Sequence, residues 1–166
     1  MARMSVSSIF TAACTFALLA ACSGEATETA EAPPSDAPAE IKERQSNFEA
    51  IGDSFKAIRG QLEADTPDFT VIEPATADIN ERLQRLSGLF PEGTSMEAGY
   101  DTEALAVIWE DPEGFAEVTA QAIAASEDMM AAAATGDPEA VGGQVGNLGL
   151  NGCKACHDKY RFDEDA

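Results

Sequence analysis

Cys153-Lys154-Ala155-Cys156-His157 stands near the end of the chain with the spacing C-x-x-C-H, the attachment pattern of a c-type haem. Residues three apart on a helix share a face, so both thiols reach one edge of a porphyrin and hold it by thioether bonds. His157 follows at once and brings an imidazole under the iron as proximal ligand. It is also the only histidine in the chain. Other readings of C-x-x-C fit less well. A thioredoxin-like dithiol belongs to an alternating strand-helix pattern, which this sequence lacks. A zinc site needs four ligands, and only Asp158 stands beside the two thiols and the imidazole to complete it. A disulfide across two residues would be strained and would leave His157 without a purpose.

The other two of the four cysteines lie at the N-terminus. Residues 1–21 read as a leader: Arg3, then an apolar run with Phe10, Phe16, Leu18 and Leu19, too short for a comfortable membrane span. Leu19-Ala20-Ala21-Cys22 resembles the bacterial lipobox, which makes Cys22 a lipidated N-terminus, while Cys14 is discarded with the leader. Cys22 then takes lipid, Cys153 and Cys156 take haem, and no disulfide is expected. Residues 22–38 are rich in Ser, Thr, Glu, Ala and Pro and read as a disordered acidic tether. The formal net charge is −20, so nucleic acid and anionic membrane surfaces are poor partners and basic redox proteins are good ones. Contact with a membrane is expected only through the lipid, in the periplasm.

From Ala39 onward the pattern is all-α. Ile41, Phe48, Phe55 and Leu62 fall seven apart, with Arg44, Ile51 and Ile58 between them, the stripe of an amphipathic helix in a bundle. Arg44 interrupts that stripe. Either the first turn frays and Arg44 snorkels to water, or Arg44 is buried against an anion, for which a haem propionate is the sharper candidate. Thr70–Glu73 reads as a capping box for a second helix faced by Ile72, Ala75, Ile79, Leu83, Leu86 and Phe90. Residues 91–110 form a long loop whose aromatic content suits a lid or edge cover, with Trp109 as its core anchor. Asp111-Pro112-Glu113 starts a third helix and Asp137-Pro138-Glu139 a fourth. The fourth carries Gly142, Gly143, Gly146, Gly149 and Gly152. At 100° per residue, Gly142, Gly146 and Gly149 fall near the thiols, where they would let a flat macrocycle approach the backbone. The alternative is a loop as far as Leu150.

Four helices with a C-terminal C-x-x-C-H resemble the cytochrome c′ family. Arg44-Gln45-Ser46-x-Phe48, Leu86-Ser87-Gly88-Leu89-Phe90, Ile108-Trp109-x-Asp111 and Cys153 through Arg161 are similar to its motifs over residues 39–161. The resemblance implies an up-down-up-down four-helix bundle over 39–166, often paired as a homodimer, with one covalent haem c per chain. It implies that Arg44 and Gln45 contact propionates, that Phe48 and Ile51 lie over the distal iron face, that Phe90 belongs to the haem surroundings, and that Arg161 lies near His157. Low-spin relatives carry a methionine at the place of Phe48 and act as electron carriers. Phenylalanine offers no lone pair, which implies five-coordinate high-spin iron. Such iron binds nitric oxide and carbon monoxide and transfers electrons. The alternative is a six-coordinate low-spin carrier whose sixth ligand is Met96, Met129 or Met130. No paired carboxylates or nucleophile constellation argues for an enzyme.

Overall fold

The computed structural model describes residues 37–163; the leader, most of the tether and Cys22 lie outside the described residues. The long helices are α1 (Ala39–Leu62), α2 (Phe69–Gln84) and α4 (Pro112–Ala133). The fourth is composite: α5 (Pro138–Asn147) runs through a π-helical stretch, Leu148–Lys154, into α6 (Ala155–Tyr160). A short α3 (Val107–Glu110) precedes α4. Around the bundle α1 packs on α2, α2 on α4, α4 on the composite helix, and that helix returns to α1. This is an antiparallel four-helix bundle, and the loop reading of residues up to Leu150 does not hold.

The core follows the heptad stripes. Ile58, Ile72, Ile79, Met129, Val141 and Leu148 are all but inaccessible to solvent, each stabilising the fold by roughly 1.5–3 kcal/mol. Two polar ties fix the register of the helices. Asn80 Nδ2 donates to Ser126 Oγ at 2.8 Å between α2 and α4, and Ser54 Oγ donates to Asp78 Oδ2 at 2.7 Å between α1 and α2.

Three expectations need correction. The α2 cap is Asp68, not Thr70. The Asp68 carboxylate accepts from the Thr70 amide at 2.9 Å and from the Thr70 hydroxyl at 2.7 Å; a carboxylate takes both donors, and Thr70 already lies inside the first turn. The anchor of the 107–110 turn is Ile108, which is buried, whereas Trp109 is half-buried. Trp109 instead closes the loop, its Nε1 donating to the Phe90 carbonyl at 3.2 Å. Lastly, Gly142 and Gly146 are exposed, and a Cβ there would meet nothing within 4 Å. The π-helical stretch explains this. Its wider i→i+5 turns break the 100° register on which that alignment rested. Only Gly149 and Gly152, within the stretch, reach the interior.

Asp111 joins the start of α4 to the end of α6. Its Oδ1 accepts from the Gly114 amide at 3.1 Å, and its Oδ2 accepts from the Tyr160 hydroxyl at 2.9 Å and from Lys159. Gly114 is required here, because a Cβ would sit 2.6 Å from the Tyr160 oxygen. Hydrogen bonds from Lys159, Tyr160 and Gly114 hold the Asp111 carboxyl below its ordinary value. Arg82 does the same for Asp78, and Thr70 for Asp68.

Gly114→Ala is expected to detach Tyr160 and to destabilise the fold by about 1–3 kcal/mol, read by urea denaturation. The depressed carboxylates set the sign of the acid response. Their stabilisation is complete above the unfolded value of about 3.9 and is lost as pH falls through the lower folded values. Melting temperatures should therefore fall below about pH 4, and Asp111→Asn should flatten that fall.

Candidate functional site

A cavity of about 1300 Å³ opens between α1, α2, α4, the composite helix and the 91–106 loop. It exceeds the roughly 300–1,000 Å³ of common small-molecule pockets. Cys153, Cys156 and His157 line it from the C-terminal helix; Arg44, Gln45, Phe48 and Ile51 from α1; Phe90 and Arg161 from the flanking turns. Every predicted site residue among the described residues thus faces one space.

The π-helical stretch carries Cys153, and α6 carries Cys156 and His157. Both thiols are half-buried and form no disulfide with each other. Burial raises both thiol pKa values, that of Cys156 to about 11, to which Cys153 adds. Catalytic dithiols are tuned the opposite way, so the pair is poorly suited to disulfide exchange. Among the described residues no cluster of three His, Cys, Asp or Glu side chains is arranged to hold a bare metal ion. Burial, and then Arg161, lower the pKa of His157. The imidazole is thus held neutral, the form that ligates iron. Phe48 stands across from it, with ring centroids 6.4 Å apart and planes at 71°. Phe90, Phe115 and Tyr160 continue the aromatic wall edge to face, at 5.0 Å and 5.2 Å between centroids.

Arg44 is 2% exposed, so the frayed first turn is excluded. Its guanidinium donates to Thr94 Oγ1 at 2.8 Å, to the Thr94 carbonyl at 2.6 Å and to Thr102 Oγ1 at 2.7 Å. It also lies 5.1 Å from the centre of the Phe90 ring, within cation–π range. None of these partners is anionic. Burial lowers the Arg44 pKa, yet a guanidinium stays charged. The cavity wall therefore carries a buried positive charge without a carboxylate ion pair, suited to an acidic group on whatever fills the cavity. Gln45 Nε2 donates to the Asp101 carbonyl at 3.0 Å, so neighbouring α1 residues hold the same loop.

Of the loop residues the sequence singled out Met96, as a candidate sixth ligand, and not the threonines and Glu103 beside it. Met96, Tyr100, Thr102, Glu103 and Ala104 all line the cavity. The loop is tied to the chain's end: the Leu105 amide donates to the Tyr160 carbonyl at 3.1 Å, and the Phe162 amide to the Glu103 carbonyl at 2.8 Å. Glu103 also pairs with Arg161 at 2.8 Å, whose Nη1 lies 3.5 Å from His157 Nδ1. No periodic signal marks such partners; threonine hydroxyls and loop carbonyls find Arg44 through tertiary structure alone.

Arg44→Leu should free the loop. The Thr94 carbonyl would lose its guanidinium donor, a cost of about 1–3 kcal/mol for a buried acceptor. Limited proteolysis should then cut within 91–106 faster than in the unmutated protein, and a cleavage rate equal to the parent's would contradict the clasp.

The cavity fits a haem on the chemistry of its donors: two thiols and a neutral imidazole along one wall, aromatic rings around them, and a cation at one side. A family model for cytochrome c′ matches residues 39–161. Cytochrome c′ of Rhodospirillum rubrum is 35% identical over 141 residues, covering 82% of this chain and 91% of the relative. The solved cytochrome c′ of Rubrivivax gelatinosus superposes with a TM-score of 0.66 at 31% identity, over 74% of this chain and 94% of that one. A nitric oxide complex of a point mutant of cytochrome c prime from Alcaligenes xylosoxidans superposes equally, TM-score 0.66 at 25% identity, over 75% and 94%. The bundle, the C-x-x-C-H wall and these likenesses agree: the chain belongs to the cytochrome c′ family and carries a covalently bound haem c.

Proposed function

We propose that this cytochrome holds five-coordinate, high-spin iron that binds nitric oxide and carbon monoxide and exchanges electrons in the periplasm. The observation that carries the reading is Phe48 facing His157 across the cavity at 6.4 Å between rings. Cys153 and Cys156 would hold the macrocycle, His157 the iron, and Arg44 and Gln45 a propionate edge. When bound, the haem supplies a one-electron couple and a coordination position for small ligands. The side chains around that position decide what enters. Phe48 and Ile51 present hydrocarbon, which neither donates a hydrogen bond nor compensates a charge. Uncharged diatomics pass this filter; anions and hydrogen-bonded dioxygen do not. The nitric oxide complex of the Alcaligenes relative agrees with the reading.

A second reading rests on Met96. Met129 is fully buried in the core and does not face the cavity, and Met130 does not line it. Met96 does line it, from the 91–106 loop. A low-spin carrier with a thioether sixth ligand would therefore use Met96.

The acidic surface suits a basic redox partner, and a second copy of the chain remains a partner that family resemblance supports. Anchoring at Cys22, outside the described residues, would keep the protein at a bacterial membrane; no described helix is long and apolar enough to cross one.

The test is the absorption spectrum of the holo-protein in both oxidation states, with and without each gas. High-spin spectra that change on adding nitric oxide and carbon monoxide are expected. A low-spin spectrum that becomes high-spin in Met96→Leu would establish the carrier reading instead. Phe48→Ala should speed carbon monoxide association, at less than the about 3–5 kcal/mol cost of truncating a fully buried phenylalanine. Cys22→Ala should release the protein from membranes into the soluble periplasm, and a failure to incorporate labelled fatty acid in the parent would remove the lipid anchor.

A further inference from the structure

Arg161 Nη1 lies 3.5 Å from His157 Nδ1, which leaves Nε2 as the nitrogen open to the iron. A neutral imidazole that lends Nε2 to a metal carries its proton on Nδ1. Metal-bound imidazoles ordinarily donate that proton to a carboxylate or carbonyl, which raises their basicity as ligands. A guanidinium has donors only, so Arg161 does not accept it.

Carboxylates that could accept it stand close by. Among the described residues, the charged groups that act on His157 are Arg161, Glu103 and Asp158. Each carboxylate is engaged by a basic residue: Glu103 Oε2 by Arg161 Nε at 2.8 Å, and Asp158 Oδ1 by Lys154 Nζ at 2.6 Å. Both pairs are exposed, so neither contributes much to stability. Their placement has the greater consequence. Main-chain bonds alone seat Glu103 beside the end of the chain: the Phe162 amide donates to the Glu103 carbonyl at 2.8 Å, and Ala104 and Arg161 form an antiparallel bridge. On the other side its neighbour Thr102 accepts from Arg44 at 2.7 Å. The backbone thus keeps the Glu103 carboxylate near the imidazole whatever its side chain binds.

We propose that Glu103 is a positioning residue for the iron ligand: it anchors Arg161 against His157 Nδ1, and Arg161 in turn keeps the Glu103 carboxylate from accepting the Nδ1 proton. The imidazole is then left without a strong acceptor and stays a weakly basic ligand. The proposal rests on His157 as the iron ligand and not on what fills the sixth position.

The experiment is a double-mutant cycle on the holo-protein. Its first readout is the iron–histidine stretching frequency of the ferrous form, measured by resonance Raman. Arg161→Met should free Glu103 to accept from Nδ1, and the frequency should rise. Adding Glu103→Ala should return it towards the parent value, because the carboxylate is gone. Both side chains are exposed, and the main-chain bonds that seat them need neither. The second readout is the reduction potential, which is measurable whatever the number of axial ligands. A hydrogen bond from the iron ligand to a carboxylate lowers the potential. Arg161→Met should therefore lower it by more in the presence of Glu103 than when Glu103→Ala is also present. No rise in frequency, a rise of equal size with and without Glu103, or strictly additive changes in potential would each overturn the proposal. The parent's spin state is a separate measurement, so failure here is distinct from failure of the gas-binding reading.

Discussion

The haem-bearing end of this bundle depends on one carboxylate. Asp111 caps α4 through the Gly114 amide and holds Tyr160 and Lys159 at the end of α6. A cap bond alone would fix one helix. By accepting from a neighbouring helix as well, Asp111 sets the height at which α6 meets α4. His157 lies one turn before Tyr160, so that height also sets where the imidazole stands. The missing Cβ of Gly114 is part of the same device, since the Tyr160 hydroxyl occupies its place. Sequence, cap and site geometry are thus linked through three residues.

Arg44 acts at another wall of the cavity by a different principle. A buried guanidinium is costly unless its donors are satisfied, and here threonine hydroxyls and a carbonyl do that work. The result is mechanical: two points on the loop, Thr94 and Thr102, are drawn to α1. Hydrogen bonding satisfies the donors but does not neutralise the charge. The remaining positive potential points to an acidic group at the cavity's edge, which fits a haem propionate on the proposed reading.

How much was legible beforehand divides along physical lines. Helix faces were legible because burial imposes a period, and Ile58, Ile72, Ile79 and Met129 lie where the stripes put them. The starts of α4 and α5 were legible because Asp-Pro-Glu is a local signal. The haem wall was legible because C-x-x-C-H encodes its own chemistry. What failed was non-local or off-period. Asp68 displaced Thr70 as a cap because its carboxylate takes both the amide and the hydroxyl of Thr70. Gly142 and Gly146 were misplaced because the π-helical stretch shifts the register, and a helical wheel has no means to anticipate it. Asn47 is buried although it lies off the α1 stripe, where a polar residue reads as surface. The loop was legible as a lid, but its hold on Arg44 was not, because Thr94 and Thr102 lie some fifty residues away along the chain.

The π-helical stretch and the glycines point to why the attachment residues sit where they do. Five glycines between Gly142 and Gly152 weaken the intrinsic preference for helix by roughly 4–5 kcal/mol. Packing explains only some of them. A Cβ at Gly152 would lie 3.1 Å from the Ala122 Cα, so that glycine lets α4 approach closely, and Gly149 lines the cavity. Gly142, Gly143 and Gly146 face open space, and nothing in the structure explains them. The composite helix therefore draws its stability from outside itself: from buried Val141 and Leu148 and from the Tyr160–Asp111 bond. A covalent link fixed to a strongly self-stable helix would add little order. Fixed to this one, the two thioether bonds join the macrocycle to the segment least able to hold its shape alone. The order of the fourth helix thus rests on its neighbours more than on its own sequence.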